Sequence, residues 1–134
     1  MKTKTIRQSV TFEATPHELY EILMDSKKHS RLTGGGKATI SRIVGGPFTV
    51  YDGYATGLNV ELIPDKLIVQ TWRASDWQGS HFSRVRFSFR EVAGGTRLTF
   101  THSGVPEEEF ENIKQGWIDY YWEPLKEMVH RKRK

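Results

Sequence analysis

Apolar and polar residues alternate at the start of the chain. In Thr5–Glu13, Ile6, Gln8, Val10 and Phe12 fall on one side, and Arg7, Ser9, Thr11 and Glu13 on the other. A period of two predicts a half-buried strand. The pattern then changes to helical spacing at Leu19, Ile22 and Leu23. Thr15, Pro16 and Glu18 spell a capping box with proline at the first helical position. Asp25 or Ser26 is placed to cap a second short helix reaching Leu32.

From 37 to 103 the chain reads as strands cut by turn residues. The predicted runs are Lys37–Ile43, Phe48–Tyr51, Tyr54–Leu62, Lys66–Arg73, His81–Val92 and Thr96–Ser103. Gly45-Gly46-Pro47, Asp52-Gly53, Pro64-Asp65 and Gly94-Gly95 separate most of them, and Ser75–Ser80 is a loop. Connections this short make neighbouring strands antiparallel. A long helix is predicted from Pro106 to about residue 131, with Glu107, Glu108 and Glu109 in its first turn and Pro124 kinking its apolar stripe.

Alternation also predicts facing. Val85, Phe87 and Phe89 share a side, opposite Arg84, Arg86 and Arg90; Leu98, Phe100 and His102 share a side, opposite Arg97, Thr99 and Thr101. Ile68, Gln70 and Trp72 compete with Leu67, Val69 and Thr71. We take Trp72 as inward, because burying a large aromatic gains about 2–3 kcal/mol. One amphipathic helix and one half-apolar sheet cover each other best as two layers. The expected fold is α+β: a curved antiparallel sheet of about seven strands around a long C-terminal helix, with two short helices after the first strand.

Composition narrows the function. The 134 residues are 37% hydrophobic and 12% aromatic, enough to bury a core as a single domain, 1–134. There is no cysteine, hence no disulfide or thiolate chemistry. No apolar run is long enough to span a bilayer, and the basic N-terminus lacks the apolar stretch of a signal peptide, so a cytoplasmic protein is expected. The net charge of +4 resides in the tail Arg131–Lys134, and the remainder balances. Cations after a helix C-terminus favour its dipole, and this placement does not suggest a nucleic-acid binder.

Catalytic patterns are missing. His17, His29, His81, His102 and His130 lack metal-ligand spacing, and Gly34-Gly35-Gly36 lacks the Lys-Ser/Thr of a phosphate loop. Ser80-His81 and His102-Ser103 are strand neighbours whose side chains face opposite ways. The carboxylates at helix starts are explained by capping. No catalytic residue, metal site or cofactor is expected. His102 reads as a core-edge histidine bonded to backbone or as a polar anchor in a cleft, and Gln70 as a buried amide needing a partner from the helix or a ligand. Of Tyr120 and Tyr121, one is expected inside and one outside.

Several segments carry a resemblance. GYATGLNVELIPDKLIVQTWR, GSHFSRVRFSF, GTRLTFTHSGVP and QGWIDYYWEPLK, the last with Gly116-Trp117, Tyr120-Tyr121, Pro124, Leu125 and Lys126, resemble the C-terminal domain of the activator of the heat-shock-protein-90 ATPase, within the START-like (SRPBCC) superfamily. The resemblance covers roughly residues 5–130. It implies a helix-grip fold and a non-enzymatic, chaperone-modulating or protein-interaction role, with a heat-shock-protein-90-type chaperone as partner. In the eukaryotic activator two domains contact the chaperone, and the resemblance is to the second. The superfamily also binds small hydrophobic ligands between sheet and helix, which is the alternative reading. Candidate lining residues for that cleft are Phe48, Leu58, Gln70, Trp72, Val85, Phe87, Phe100, His102, Trp117, Tyr120 and Tyr121. A polyketide-cyclase-like enzyme is a third reading, resting on fold alone.

Overall fold

The computed structural model describes residues 1–132, with side chains through His130; the side chains of the basic tail lie outside the described residues. The elements are β1 (Thr3–Phe12), α1 (Pro16–Met24), α2 (Ser26–Leu32), β2 (Thr39–Ile40), β3 (Pro47–Val50), β4 (Ala55–Ile63), β5 (Leu67–Ala74), β6 (Ser83–Val92) and β7 (Gly95–Pro106). A 3-10 turn at Glu107–Glu109 leads into α3 (Phe110–Trp117), a π-helical segment (Ile118–Trp122) and α4 (Glu123–Lys132). The seven strands form one antiparallel sheet in the order β1-β7-β6-β5-β4-β3-β2. The first strand closes against the last, and the hairpins run outward from there.

Local chemistry explains the helix starts. The Thr15 hydroxyl accepts from the Glu18 amide at 3.1 Å, and the Glu18 carboxylate accepts from the Thr15 amide at 3.3 Å. Asp25 caps α2 by accepting from the Lys28 amide at 2.9 Å. At the exit of α2, Gly34 and Gly35 take φ of +80° and +100°, a conformation cheap only for glycine.

Two boundaries and the form of one helix irregularity differ from the sequence expectation. The run Lys37–Ile43 contributes only two residues of strand. Side chains claim much of its backbone: the Ile40 amide donates to Ser26 Oγ at 2.9 Å, and Asn59 Nδ2 donates to the carbonyls of Ser41 and Ile43 at 2.8 and 3.0 Å. Pro106 does not open the helix. β7 continues to it because Thr3 pairs with Pro106, and the Glu107 amide donates to the Lys2 carbonyl at 3.0 Å. The helix therefore begins at Phe110. The irregularity expected at Pro124 takes the form of the π segment just before it. Proline has no N–H to donate and its ring crowds the carbonyl four residues back. The widened turn, with the Glu123 amide donating to the Ile118 carbonyl, accommodates both.

The π turn also sets the core. In an α-helix, residue i+5 is rotated well away from residue i. Here Trp117 lies 4.6 Å from the Tyr121 ring and 5.9 Å from the Trp122 ring, so all three face the sheet. They meet Phe87 and Phe100 from the central strands, with Phe100 only 4.5 Å from Trp117. Phe12, Phe100, Leu98, Trp122 and Leu125 are almost wholly buried. Gln8, at the edge of this core, accepts from Trp122 Nε1 at 2.6 Å and donates to the Lys114 carbonyl at 3.2 Å, tying β1 to the helix.

Candidate functional site

A cleft of about 390 Å³ opens between the helix and the outer strands. Val50, Tyr51, Tyr54, Ala55 and Trp72 form its sheet wall, and Asn112, Ile113, Gly116, Trp117, Tyr120 and Tyr121 its helix wall. Two features hold it open. Gly116 contributes no side chain, although its backbone would accept one: a Cβ there would meet only Tyr120 Cδ2, at 3.9 Å. Opposite it, the β3–β4 hairpin turns through three successive left-handed residues, Tyr51 (φ +57°), Asp52 (+58°) and Gly53 (+89°). That conformation is costly for a bulky tyrosine. It is held by reciprocal bonds, Lys37 amide to Asp52 Oδ1 at 2.8 Å and Asp52 amide to Lys37 carbonyl at 3.0 Å. The turn sets the Tyr51 ring edge-on to Tyr120, 5.4 Å away, at the mouth of the cleft.

The cleft is electrically quiet. Burial pushes the phenols of Tyr51, Tyr54 and Tyr121 upward from their ordinary value, so they stay protonated at neutral pH. Rings, aliphatic carbon, neutral hydroxyls and one amide suit a neutral, largely apolar guest.

Beneath it lies a chain of buried hydrogen bonds whose directions are fixed. Trp117 Nε1 can only donate, and it lies 3.0 Å from His102 Nδ1, which must therefore accept. The proton on His102 is then at Nε2, 2.7 Å from Ser83 Oγ. Ser83 in turn donates to the Trp72 carbonyl at 2.6 Å. The chain joins α3 to β7, β6 and β5, and a second proton on His102 would face the Trp117 N–H. Desolvation adds to this, lowering the His102 pKa to about 3. A second buried imidazole, His29 on α2, has Nε2 3.1 Å from the Tyr121 hydroxyl and no protein partner at Nδ1. Burial lowers its pKa to about 4.

The sequence candidates separate into four groups. Trp72, Trp117, Tyr120 and Tyr121 line the cleft, Tyr121 buried and Tyr120 half-exposed at the rim. Phe48, Gln70 and Phe87 border only a void of about 20 Å³ under it, which Trp72, Trp117 and Tyr121 also touch. Val85, Phe100 and His102 are fully buried and line neither space. Leu58 is 48% exposed on the outer side of the sheet, so its placement in the cleft is corrected. Gln70 meets neither the helix nor open space: its Nε2 donates to Asn59 Oδ1 at 3.0 Å, bracing the amide that holds the β2–β3 loop. His102 bonds to side chains rather than backbone and is no cleft anchor. The sequence reading missed Val50, Tyr51, Tyr54, Ala55, Ile113, Asn112 and Gly116. Ile113 was visible on the apolar stripe and Gly116 in the helix motif, whereas the left-handed Tyr51 left no sequence signal.

A sheet gripping one long helix, with an aromatic cleft between them, defines a helix-grip domain of the START-like class. Residues 13–130 match the family model described as activator of Hsp90 ATPase homolog 1-like protein. The chain belongs to that family. It is 34% identical over 117 residues to the human activator of 90 kDa heat shock protein ATPase homolog 1, covering 87% of this chain and 34% of that protein. Against the Dictyostelium discoideum activator the figures are 32%, 86% and 30%. The chain thus spans about a third of the length of the curated relatives it matches. Among solved structures, an HSP90 activator from Plasmodium falciparum superposes with a TM-score of 0.89 at 24% identity, over 94% of this chain and 96% of that one. An Aha1 dimer from Colwellia psychrerythraea gives 0.78 at 18%, over 92% and 93%. At these identities the superpositions speak for the fold.

Proposed function

We propose that this chain is a non-enzymatic, cytoplasmic module that binds a heat-shock-protein-90-type chaperone and modulates its ATPase. The observation carrying this reading is the family match across residues 13–130, joined to 34% identity with the human activator over nearly the whole chain. The site chemistry agrees with a binding role. The buried imidazoles are held neutral: His102 is bonded to Ser83, which does not line the cleft, and His29 to the Tyr121 hydroxyl, a phenol that burial keeps protonated. Among the described residues no group of carboxylates and histidines is arranged to hold a metal, and no helix is long and apolar enough to cross a membrane. Isothermal titration of the chain into the source organism's own chaperone tests the reading. A complex with a dissociation constant of roughly 50 µM or tighter supports it, and no heat of binding at that concentration refutes it.

A second reading is favoured by one observation, the cleft of about 390 Å³, which falls within the roughly 300–1,000 Å³ of small-molecule sites. On this reading the cleft takes a neutral hydrophobic compound stacked among Trp72, Trp117 and Tyr120. Thermal-shift screening against lipids, sterols and aromatic metabolites tests it. A ligand that raises the melting temperature of the wild type but not of Gly116→Leu supports it, and equal shifts in both proteins refute it.

A further inference from the structure

The charge balance of residues 1–130 hides a separation. Acidic residues gather in the helical layer, above all between 107 and 127, while the outer face of the sheet is basic. Arg7, Arg84, Arg86, Arg90 and Arg97 project from β1, β6 and β7, which lie side by side, and all five are exposed. Among the described residues none of the five has an ion pair. The nearby cations are occupied differently: Arg73 donates to the carbonyls of His81 and Trp77, and Lys4 sits over the Phe110 ring. Glu61, opposite Val69 at the margin, is an acid on this side of the sheet.

The register makes the cluster expensive. Arg90 lies directly opposite Arg97, and like charges in that position weaken a sheet. Packing does not require it, because both side chains point away from the core. Solubility does not either, since interspersed signs serve that better. A face that keeps its repulsion and leaves these five arginines without an ion pair is complementary to anions.

From this charge and register we infer that the outer face of β1, β7 and β6 docks an acidic segment of a protein partner. Two observations favour a polypeptide over a nucleic acid. The rings within these strands, Phe87, Phe89 and Phe100, all turn inward, so that Phe82, half-exposed just ahead of β6, offers stacking at the margin and not along the face. Beside the arginines, on the same side of the sheet, Leu58 and Ile63 are exposed and Leu67 is half-buried, an aliphatic strip next to the buried Val69. Arginine is enriched at protein interfaces, and apolar surface beside it adds area to bury. The face would serve any acidic partner, so failure of this inference leaves the chaperone reading standing.

The test titrates the ¹⁵N-labelled full chain, in about 100 mM salt, where exposed charges are screened beyond roughly 10 Å. The ligands are poly-L-glutamate and an RNA duplex of equal charge. Amide shifts should concentrate on β1, β7 and β6, with the polypeptide bound more tightly than the duplex. In Arg86→Glu/Arg90→Glu, affinity should fall at least about tenfold. Arg90→Glu alone replaces a repulsive pair with an attractive one opposite Arg97. Its melting temperature should therefore rise by about 2–4 °C while binding weakens, which a purely structural role would not produce. Tighter binding of the duplex, undiminished binding by the double variant, shifts centred on another surface, or a fall in melting temperature for Arg90→Glu would each overturn the inference.

Discussion

Acidification should unfold this protein through its two buried histidines. His29 and His102 are neutral in the fold, with pKa values lowered to about 4 and about 3, against 6.5 for an exposed imidazole. The sign follows from proton binding. Between pH 6.5 and 4 the unfolded chain holds a proton on each of these rings and the folded chain does not, so stability falls as pH falls. Their stabilising effect is complete above pH 6.5. Going from pH 7 to pH 5, each ring removes about 2 kcal/mol, and the pair removes about 4 kcal/mol, a large part of the stability of a small domain. Urea unfolding at pH 7 and pH 5 measures the loss directly. His29→Phe deletes one of the two titrations and should halve it to about 2 kcal/mol. A wild-type loss below about 1 kcal/mol, or the same loss in His29→Phe, would refute the assignment of neutral rings.

Trp117→Phe removes the donor that fixes the His102 tautomer; it should cost about 1–3 kcal/mol at pH 7 and flatten the acid dependence, both read from the same unfolding curves. Gly116→Ala should raise stability by about 0.5–1 kcal/mol, because the helix gains a better former and the new methyl meets only the Tyr120 ring edge, visible as a higher melting temperature. Gly57→Ala should abolish folding or cost more than about 3 kcal/mol, since its Cβ would overlap the Thr71 carbonyl oxygen; circular dichroism and solubility report it. Thr15→Ala should cost about 1 kcal/mol through loss of the capping box, measured by denaturant midpoint.

What the sequence made legible was what short-range chemistry decides. Thr15 and Glu18 announced the start of α1, and the period of two in β6 and β7 assigned Val85, Phe87, Leu98, Phe100 and His102 to the buried face. Features set by distant contacts were not legible. Strict alternation groups Leu58, Val60 and Leu62 together, but the register of β4 against β5 shifts between Asn59 and Glu61. That bulge reverses the phase, so Leu62 packs on the core while Leu58 faces solvent. The end of β7 is decided by its pairing with β1, a hundred residues earlier in the chain. The position of the cleft was hidden for a similar reason. Phe100 and Trp117 are both large rings, and only the three-dimensional closure shows that Phe100 is packed solid while one side of Trp117 is left open. Gly116 and the left-handed turn at Tyr51 make that opening, and neither is an apolar residue that a core pattern would select.

Chaperone modulation is decided by steady-state ATP turnover. The source organism's heat-shock-protein-90-type chaperone is assayed alone and with an excess of this chain, with the chain alone as the blank. The chain itself should show no turnover, and the chaperone rate should change at least about twofold, saturating as the complex fills. An unchanged rate at saturating concentration, or ATP hydrolysis by the chain alone, would rule out chaperone modulation by a non-enzymatic module.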